Sequence, residues 1–397
     1  MTECQVAVVG AGIAGCLTAI HLADAGRDVV LIDQAGAAMS GASRWNEGKI
    51  HLGYCYLGDP AFVTPALMLD GAARFVTTIE QVTGYSFRED WFSRPVIYIV
   101  DPDTQFSVDH LWARSQRLAN LLRTRTVSDP GLRRFADGQD VLTRLDPDVA
   151  AAATGLGRVA AAWQTSERCV APGPVAAMIR EAVSARRIPL VQARVRAVSR
   201  TSEHWSIRTD AEAIKVGVVV NATWESRALL DRTVIGTTGP CSIRFKYGLF
   251  GQGLKALADL APSTRIVGRF GDVTPYGNGE AYLSWYPEGL ATHSDDGIAP
   301  IPVEPDRDTL VARTLAGLGL GREIMEVATA TWEIRGGYVV AHGSGDIDHA
   351  SSPLHLRDRF GASELSPGYV TVDTGKYSCG PMVAAQAAAL VDSHLRT

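Results

Sequence analysis

Several things this sequence lacks narrow the field. Its six cysteines, Cys4, Cys16, Cys55, Cys169, Cys241 and Cys379, are scattered, with no CxxC pair and no spacing to histidine that would hold zinc. No metal is therefore expected. There is no run of lysine and arginine, and the formal net charge is −5, which argues against nucleic acid or an anionic membrane surface as a partner. The apolar runs are short and broken by glycine, so none spans a bilayer, and no cationic stretch precedes the first of them. The cytoplasm is the expected location. Internal repeats and low-complexity tails are missing too. The rest is ordinary globular composition, 46% hydrophobic and 20% charged over 397 residues. That length suits two domains, or one large α/β domain carrying an insertion.

What is present is concentrated at the start. Gln5-Val6-Ala7-Val8-Val9 is an apolar run of strand length, and Gly10-Ala11-Gly12-Ile13-Ala14-Gly15 follows it directly. A helical pattern then carries Leu17, Ala19, Ile20, Leu22 and Ala23 and stops at Gly26. A second apolar run, Val29-Val30-Leu31-Ile32, ends on Asp33. Each part has a physical task. Gly10 permits the tight turn, Gly12 leaves room for a pyrophosphate against the backbone, and Gly15 lets the helix approach the strand. The free N–H groups and positive end of the helix attract phosphate. Asp33 can accept hydrogen bonds from ribose hydroxyls and would repel a 2′-phosphate. This unit reads as a dinucleotide site; the alternative is a βαβ unit whose glycines serve packing alone.

The segment 41–56 is dense in glycine, polar and aromatic residues without clear period, and stands where α/β proteins place ligand-binding loops. Helices are expected over 66–82, 109–123, 175–185, 226–230, 308–316 and 382–394, and strands over 94–100, 189–199, 204–208, 215–223 and 369–372. Residues 144–147 read as a chain break, and the alanine-rich 150–162 as a loop and packing segment. From 236 to about 335 short strand-like runs (242–249, 265–267, 281–286, 328–334) alternate with glycine, proline and aromatics, which suggests an antiparallel sheet with one helix.

Four signatures in this order resemble the FAD-dependent oxidoreductases of the D-amino acid oxidase superfamily. They are the Gly10–Asp33 unit, Gly41-Ala42-Ser43 with Asn46-x-Gly48, Val220-Asn221-Ala222-Thr223, and the Gly375-Lys376 turn before the last helix. Two stretches are similar to the branch oxidising hydroxyl-bearing substrates, the glycerol-3-phosphate and 2-hydroxyglutarate dehydrogenases. One is Asn46-x-Gly48-x-Ile50-His51-x-Gly53-x-x-Tyr56; the other is Gly375-Lys376-Tyr377-Ser378-Cys379, in which Tyr377 and Cys379 depart from that branch's Gly-Lys-Leu-Thr-Thr. The resemblance implies an α/β fold of two domains. A discontinuous Rossmann-type FAD-binding domain takes 1–90, 151–235 and 336–397, and an antiparallel-sheet α+β substrate-binding domain takes 91–150 and 236–335. It implies FAD contacts from Gly10, Gly12, Ile13, Ala14, Gly15, Asp33, Gly41, Ala42, Ser43, Asn46, Gly48, Lys49, Val195, Asn221, Ala222, Thr223, Gly375, Lys376, Tyr377 and Ser378. Some superfamily members that bind flavin covalently carry a His where this chain has Trp45 or Asn46, so noncovalent FAD is expected.

The chemistry can also be read from residue types. Hydride removal from an alcohol carbon to flavin N5 requires the hydroxyl proton to be taken as hydride leaves, and a positioned histidine suits that at neutral pH. His51 is the candidate base, or else a structural histidine. Lys376 can stabilise charge developing on a reduced flavin, or be a solvated lysine. Lys49 is a weaker candidate of that kind. Arg335, beside Gly336-Gly337, is a candidate anion clamp with a catalytic part, and Arg244 and Tyr338 are further anion-binding candidates. Tyr247 and Tyr282 complete the expected substrate-binding set; Arg244 and Lys246 alternate on one strand with Phe245 and Tyr247 on the other face, and Tyr282, Trp285 and Tyr286 are candidates to line the flavin pocket. Three functions stay open: oxidation of CH–OH in a small polar substrate, oxidation of CH–NH in an amine or amino acid, and a nucleotide-binding module without activity. The electron acceptor (oxygen, quinone or a carrier) and the oligomeric state are not readable.

Overall fold

The computed structural model describes residues 3–136, 140–266, 270–320 and 332–396. Two sheets organise them. The first runs in the order Gly361–Ser366, Tyr369–Asp373, Ala213–Asn221, Glu3–Val9, Val29–Asp33, Leu190–Gln192. All its neighbours along this path are parallel except the outermost pair, Gly361–Ser366 with Tyr369–Asp373. Its central strands carry apolar runs, Val6-Ala7-Val8-Val9, Val29-Val30-Leu31-Ile32 and Val218-Val219-Val220, buried on both faces, as a parallel sheet between layers requires. Strand Glu3–Val9 lies between Val29–Asp33 and Ala213–Asn221, with Val9 opposite both Ile32 and Asn221. The three strand ends carrying Gly10, Asp33 and Ala222 therefore come out side by side.

Helix Ile13–Asp24 lies against this sheet, and the last helix, Gly380–Arg396, packs along it. Thr18 Oγ1 donates to the Ala384 carbonyl at 3.4 Å, Arg27 pairs with Asp392 at 2.8 Å, and an added Cβ on Gly380 would meet Ile13 Cγ2 at 2.8 Å. This packing carries the Gly375 turn to the Gly10 turn although the two are far apart in sequence. Helices Val63–Thr83 and Pro172–Ala185 complete the layer.

The second sheet has the order Leu290–Ser294, Cys241–Gln252, Glu280–Trp285, Gly271–Pro275, Ser263–Ile266, Ile97–Val100, Ala161–Thr165, Leu142–Leu145, and Glu333–His342 pairs along the other side of Cys241–Gln252. It is antiparallel but for one parallel pair, Ser263–Ile266 with Ile97–Val100. Helix Arg307–Leu318 covers it over a second apolar core. The expected division at 151 and 336 cuts through this sheet, because Ala161–Thr165 lies beyond the first position and Glu333–His342 spans the second. Of the expected strands 265–267 and 328–334, residues 267 and 328–331 lie outside the described residues.

One local reading is corrected. Residues 144–147 do not merely break the chain, and 150–162 is not all loop. Asp146 caps a helix, Pro147–Thr154, by accepting from Asp148 N–H at 2.9 Å, and Pro147 stands at its first position, where a missing N–H costs nothing. Alanine supplies the propensity, Gly155 the left-handed C-cap, and 161–165 is a strand.

Gly15 faces the first strand's turn so closely that a Cβ there would sit 1.8 Å from the Gly10 carbonyl oxygen. Gly15→Val is expected to cost at least about 3 kcal/mol by forcing helix and strand apart, measured as the shift of the urea midpoint by far-UV circular dichroism. An unshifted midpoint would show that the close approach is not needed.

Candidate active site

A cavity of about 440 Å³ lies where the carboxyl ends of the parallel strands meet the second sheet. That is the position α/β sheets reserve for ligands. One arm is lined by Gly10 to Ala14, Asp33, Gly41 to Ser43, Asn46, Val195, Ala222 and Thr223. The other reaches Lys49, His51, Arg244, Tyr282, Tyr338 and Gly375 to Tyr377. The structure thus brings most of the expected residues into a single space.

The first arm fits a dinucleotide. Gly10 has φ +101°, and a Cβ there would strike the Ala222 carbonyl oxygen at 2.4 Å, so only glycine turns the chain at this point. Helix Ile13–Asp24 opens with no side-chain cap of its own; the Ile13 N–H donates instead to Ser43 Oγ at 2.9 Å. The loop 41–43 is thereby tied to the turn that would hold phosphate. Asp33 accepts from Ala11 N–H at 2.6 Å and Ala35 N–H at 2.8 Å, fixing its carboxylate at the strand end with lone pairs left for hydroxyls. Glu225 joins it on the cavity wall, pushed up to about 7 by burial. Nothing in its sequence context marks it.

Four expected cofactor residues stand behind the wall. Gly15 packs helix on strand. Gly48, at φ +60°, avoids a clash with the Val170 carbonyl, and its N–H donates to Asn46 Oδ1 at 2.6 Å. Asn221 is buried, its Nδ2 donating to Asp231 at 2.8 Å and Tyr369 Oη at 3.0 Å, while its Oδ1 accepts from Thr223 Oγ1 at 2.7 Å. Ser378 Oγ accepts from the His51 backbone N–H at 3.3 Å. These residues set the backbone that lines the cavity.

The second arm is rich in cations. Lys49 is buried, donating to Asp272 Oδ1 at 2.8 Å and Thr264 Oγ1 at 2.5 Å; Lys246 lies 3.9 Å from the other Asp272 oxygen. Burial works against the Lys49 charge, but Asp272 outweighs it and holds the ammonium charged well past its usual range. Burial also opposes the Asp272 charge, and the two lysines overcome it, leaving that carboxyl well below its usual range. Lys376 has no ion pair among the described residues, although the Glu47 charge acts on it from a distance. Burial, then the Arg357 charge, bring it down to about 8. His51 is 3% exposed and held well below its usual range by burial and then by Lys376 and Lys49, so its imidazole is neutral. Its Nδ1 has no hydrogen-bond partner among the described residues, and Nε2 lies 3.8 Å from Glu47.

Arg244, also 3% exposed, has two nitrogens, Nε and Nη1, without partners among the described residues. Arg357 Nε and Tyr286 Oη, on the same cavity, are likewise unpaired. Leaving buried donors unmatched costs about 1–3 kcal/mol each, so their natural complement is an anionic or carbonyl group supplied by a ligand.

Two expected residues lie elsewhere. Arg335 has a side chain 52% exposed, ion-pairs with Glu333 at 2.6 Å and leans on Trp45, outside the cavity lining. Tyr247 also lies outside the lining, on the face opposite Lys246. Arg357 and Asp272 line the site without having been placed in it from sequence, and Lys246, Tyr286, Glu47 and Tyr56 line it too. The last four were signalled: Lys246 by its alternation with Arg244, Tyr286 as a candidate wall of the flavin pocket, and Glu47 and Tyr56 by their place in the loop 41–56.

Residues 5–242 match the family model described as FAD dependent oxidoreductase. No curated protein sequence gives a significant match. Among solved structures, glycine oxidase from Geobacillus kaustophilus is similar at TM-score 0.71 and 16% identity, over 99% of this chain and 95% of that one. Iminodiacetate oxidase from Chelativorans sp. BNC1 is similar at 0.69 and 18%, over 98% and 95%. Dithionite-reduced L-α-glycerophosphate oxidase from Mycoplasma pneumoniae with FAD bound is similar at 0.69 and 13%, over 99% and 95%. At these identities the likeness shows the fold, a two-domain α/β architecture with mixed sheets.

Two outcomes follow from the geometry. Gly12→Val would place a side chain in the phosphate cradle, where a Cβ already meets Ser43 Oγ at 3.0 Å; the purified variant should be colourless, and retained yellow colour would remove the phosphate site from this turn. For Lys376 the folded value of about 8 lies below the ordinary 10.5. Between those values the unfolded chain binds more protons, so stability rises with pH across this window and is lost as pH falls through about 8. Flavin-free protein should gain up to about 3 kcal/mol over that range relative to Lys376→Met. Parallel urea midpoints for the two proteins from pH 8 to 10 would contradict this.

Proposed function

The chain belongs to the family of FAD dependent oxidoreductases, and from that premise we propose that it oxidises the CH–OH group of a small anionic substrate. The observation that carries this reading is the pairing of two buried, unsatisfied groups on one cavity: the neutral His51 imidazole and the Arg244 guanidinium. In this reading Arg244 and Arg357, with the Tyr286 hydroxyl, bind the carboxylate or phosphate of the substrate and orient its carbinol carbon. His51 receives the hydroxyl proton as hydride departs, a transfer a neutral imidazole can make and an imidazolium cannot. FAD, when bound, supplies the hydride acceptor. Lys376 and Lys49 offer positive charge beside the space it would take, which favours the anionic reduced form. The carboxyl ends of the first sheet, with Gly10 to Ala14, Asp33 and Ser43, hold its diphosphate and ribose in this assignment, without a covalent bond to the protein. The similarity of Asn46 to Tyr56 to the hydroxyl-oxidising branch supports the same substrate class.

A second reading is favoured by one specific feature. Burial, and then the Lys376 and Lys49 charges, lower His51 so far that it is a weak base. An amine or amino acid, once neutral, loses hydride without a strong base, so CH–NH oxidation suits that imidazole.

The experiment is anaerobic bleaching of the flavin by panels of 2-hydroxy acids, polyol phosphates, amino acids and secondary amines. Bleaching by hydroxy compounds alone is expected; bleaching by amines alone would overturn the proposal in favour of the second reading. With the active hydroxy compound, His51→Asn should lower kcat by about 100-fold or more, whereas Arg244→Met should chiefly raise KM. FAD should be released into the supernatant by acid precipitation.

A further inference from the structure

Beside His51 lies a group of polar side chains that substrate binding does not use: Cys55 lines the cavity next to it, and Tyr98 and Glu167 stand outside the lining. One ring nitrogen of His51, the Cys55 thiol and a Glu167 carboxylate oxygen lie within 4.8 Å of one another. Glu167 is wholly buried. Its Oε1 accepts the Tyr98 hydroxyl in a short hydrogen bond, and its Oε2 accepts the Leu52 N–H at 2.5 Å. The Tyr98 oxygen in turn lies 3.3 Å from Cys55 Sγ. Because the Tyr98 proton is committed to Glu167, the Cys55 thiol is the donor in that contact. The hydrogen bonds therefore run in one direction, from Cys55 S–H to Tyr98 O–H to the Glu167 carboxylate, and they begin beside His51.

We propose that Cys55, Tyr98 and Glu167 form a proton relay that drains His51, with Glu167 as the internal acceptor of the proton taken from the substrate. The inference rests on the reading of His51 as the base. Each hop breaks one X–H bond and forms another, so atoms balance and no electrons move. The imidazolium N–H proton passes to Cys55 sulfur as the thiol proton passes to Tyr98 oxygen. The phenol proton moves to Glu167 Oε1. His51 returns to the neutral form, Cys55 and Tyr98 each end with one proton, and Glu167 ends as a carboxylic acid. The hydride and its electron pair leave the substrate carbon separately.

The hydrogen-bonded connectivity starts at Cys55; a His51 ring nitrogen stands within 4.8 Å of the thiol without a hydrogen bond, so the first hop requires the imidazolium to close on the sulfur. Three further observations support the relay. The His51 ring is shut off from solvent and ringed by Lys49, Lys376 and Arg357 charges, so an imidazolium there is expensive and needs an outlet. Burial raises Glu167 to about 7, partly offset by Lys49 and Tyr98, so it can take and hold a proton near neutrality. A metal cation is a poor alternative occupant of these three donors, since both carboxylate oxygens are engaged and the Lys49 ammonium acts on all three groups.

The test compares wild-type holoenzyme with Glu167→Gln, Tyr98→Phe and Cys55→Ala, and with His51→Asn as reference. In Glu167→Gln, bound FAD and KM should be unchanged while kcat falls at least about tenfold, less than the fall on removing the base itself; Glu167→Asp should recover part of it. Infrared difference spectra on anaerobic substrate addition should show a carboxylic-acid C=O band in the wild type that is missing in Glu167→Gln and in Cys55→Ala. If His51→Asn abolishes turnover while Glu167→Gln keeps full kcat and the band is absent from wild type, the relay is overturned and the base assignment stands. If His51→Asn turns over normally, the base assignment itself fails and the relay with it. Should Glu167→Gln fail to fold, the Cys55→Ala and Tyr98→Phe spectra decide: an unchanged band in both overturns the relay.

Discussion

The Lys49–Asp272 ion pair is where the two halves of this protein are fastened at the point of chemistry. Lys49 comes from the loop that follows the nucleotide unit, and Asp272 from a strand of the second sheet, where Thr264 and Ser284 also donate to its carboxylate at 2.9 and 3.1 Å. A buried charge costs several kcal/mol unless it is paired and hydrogen-bonded. Here the requirement is met only when the second sheet sits over the loop 41–56. Removing Asp272 would strand the Lys49 ammonium, and removing Lys49 would leave the carboxylate with the more distant Lys246 and two hydroxyls; either change upsets the cavity's charge balance. Because one carboxylate answers two lysines, the pair also leaves the cavity net positive, with Lys376, Arg244 and Arg357 adding to the excess. Burial first, and then that excess, keep His51 neutral, and the excess makes an anion the natural guest.

How far this was legible from sequence depends on how local each signal is. The strand, glycine turn, helix and terminal acid of the first thirty-three residues are consecutive, and each is dictated by backbone sterics, so both the unit and its use could be read. The Gly375 turn was placed beside it by resemblance; the structure supplies the physical cause, the packing of the last helix on the first. The second sheet was visible as a change of texture. Its cavity residues were less so, because period-2 alternation says that Arg244 and Lys246 share a face and Phe245 and Tyr247 the other, but not which face is inward. Arg335 was attractive for its neighbouring glycines, yet those glycines serve close packing: a Cβ on Gly336 would meet Phe245 at 2.4 Å, and one on Gly337 would meet Ala42 at 3.0 Å.

Asn46, Gly48, Asn221 and Ser378 show a different limit. A motif marks positions the backbone cannot change without losing the site, and it does not separate residues that touch the ligand from those that shape the chain around it. Asn46 clamps its own loop at both ends, its Nδ2 to the Ala42 carbonyl at 2.9 Å and its Oδ1 to the Gly48 N–H. Asn221 does the same for the strand end bearing Ala222. Arg357 and Glu167 were invisible for the opposite reason. Each is a single charged residue in unremarkable sequence, and only burial gives it meaning.

The proton is the point on which the chemistry turns. Alcohol and amine oxidation pass the same hydride to the same kind of acceptor; they differ in whether a second hydrogen must leave from oxygen during the step. The cation excess that attracts an anionic substrate lowers the basicity of His51, so electrostatics that help binding work against deprotonation. A substrate anion resolves part of this conflict. Once a carboxylate or phosphate is bound at Arg244 and Arg357, its negative charge offsets the lysines and restores basicity to the imidazole only when there is something to deprotonate. An outlet through Cys55 and Tyr98 to Glu167 would remove the remainder by keeping the imidazolium short-lived. The unmatched donors, the neutral histidine and the protonatable acid behind it are then parts of a single charge balance that closes when the substrate arrives.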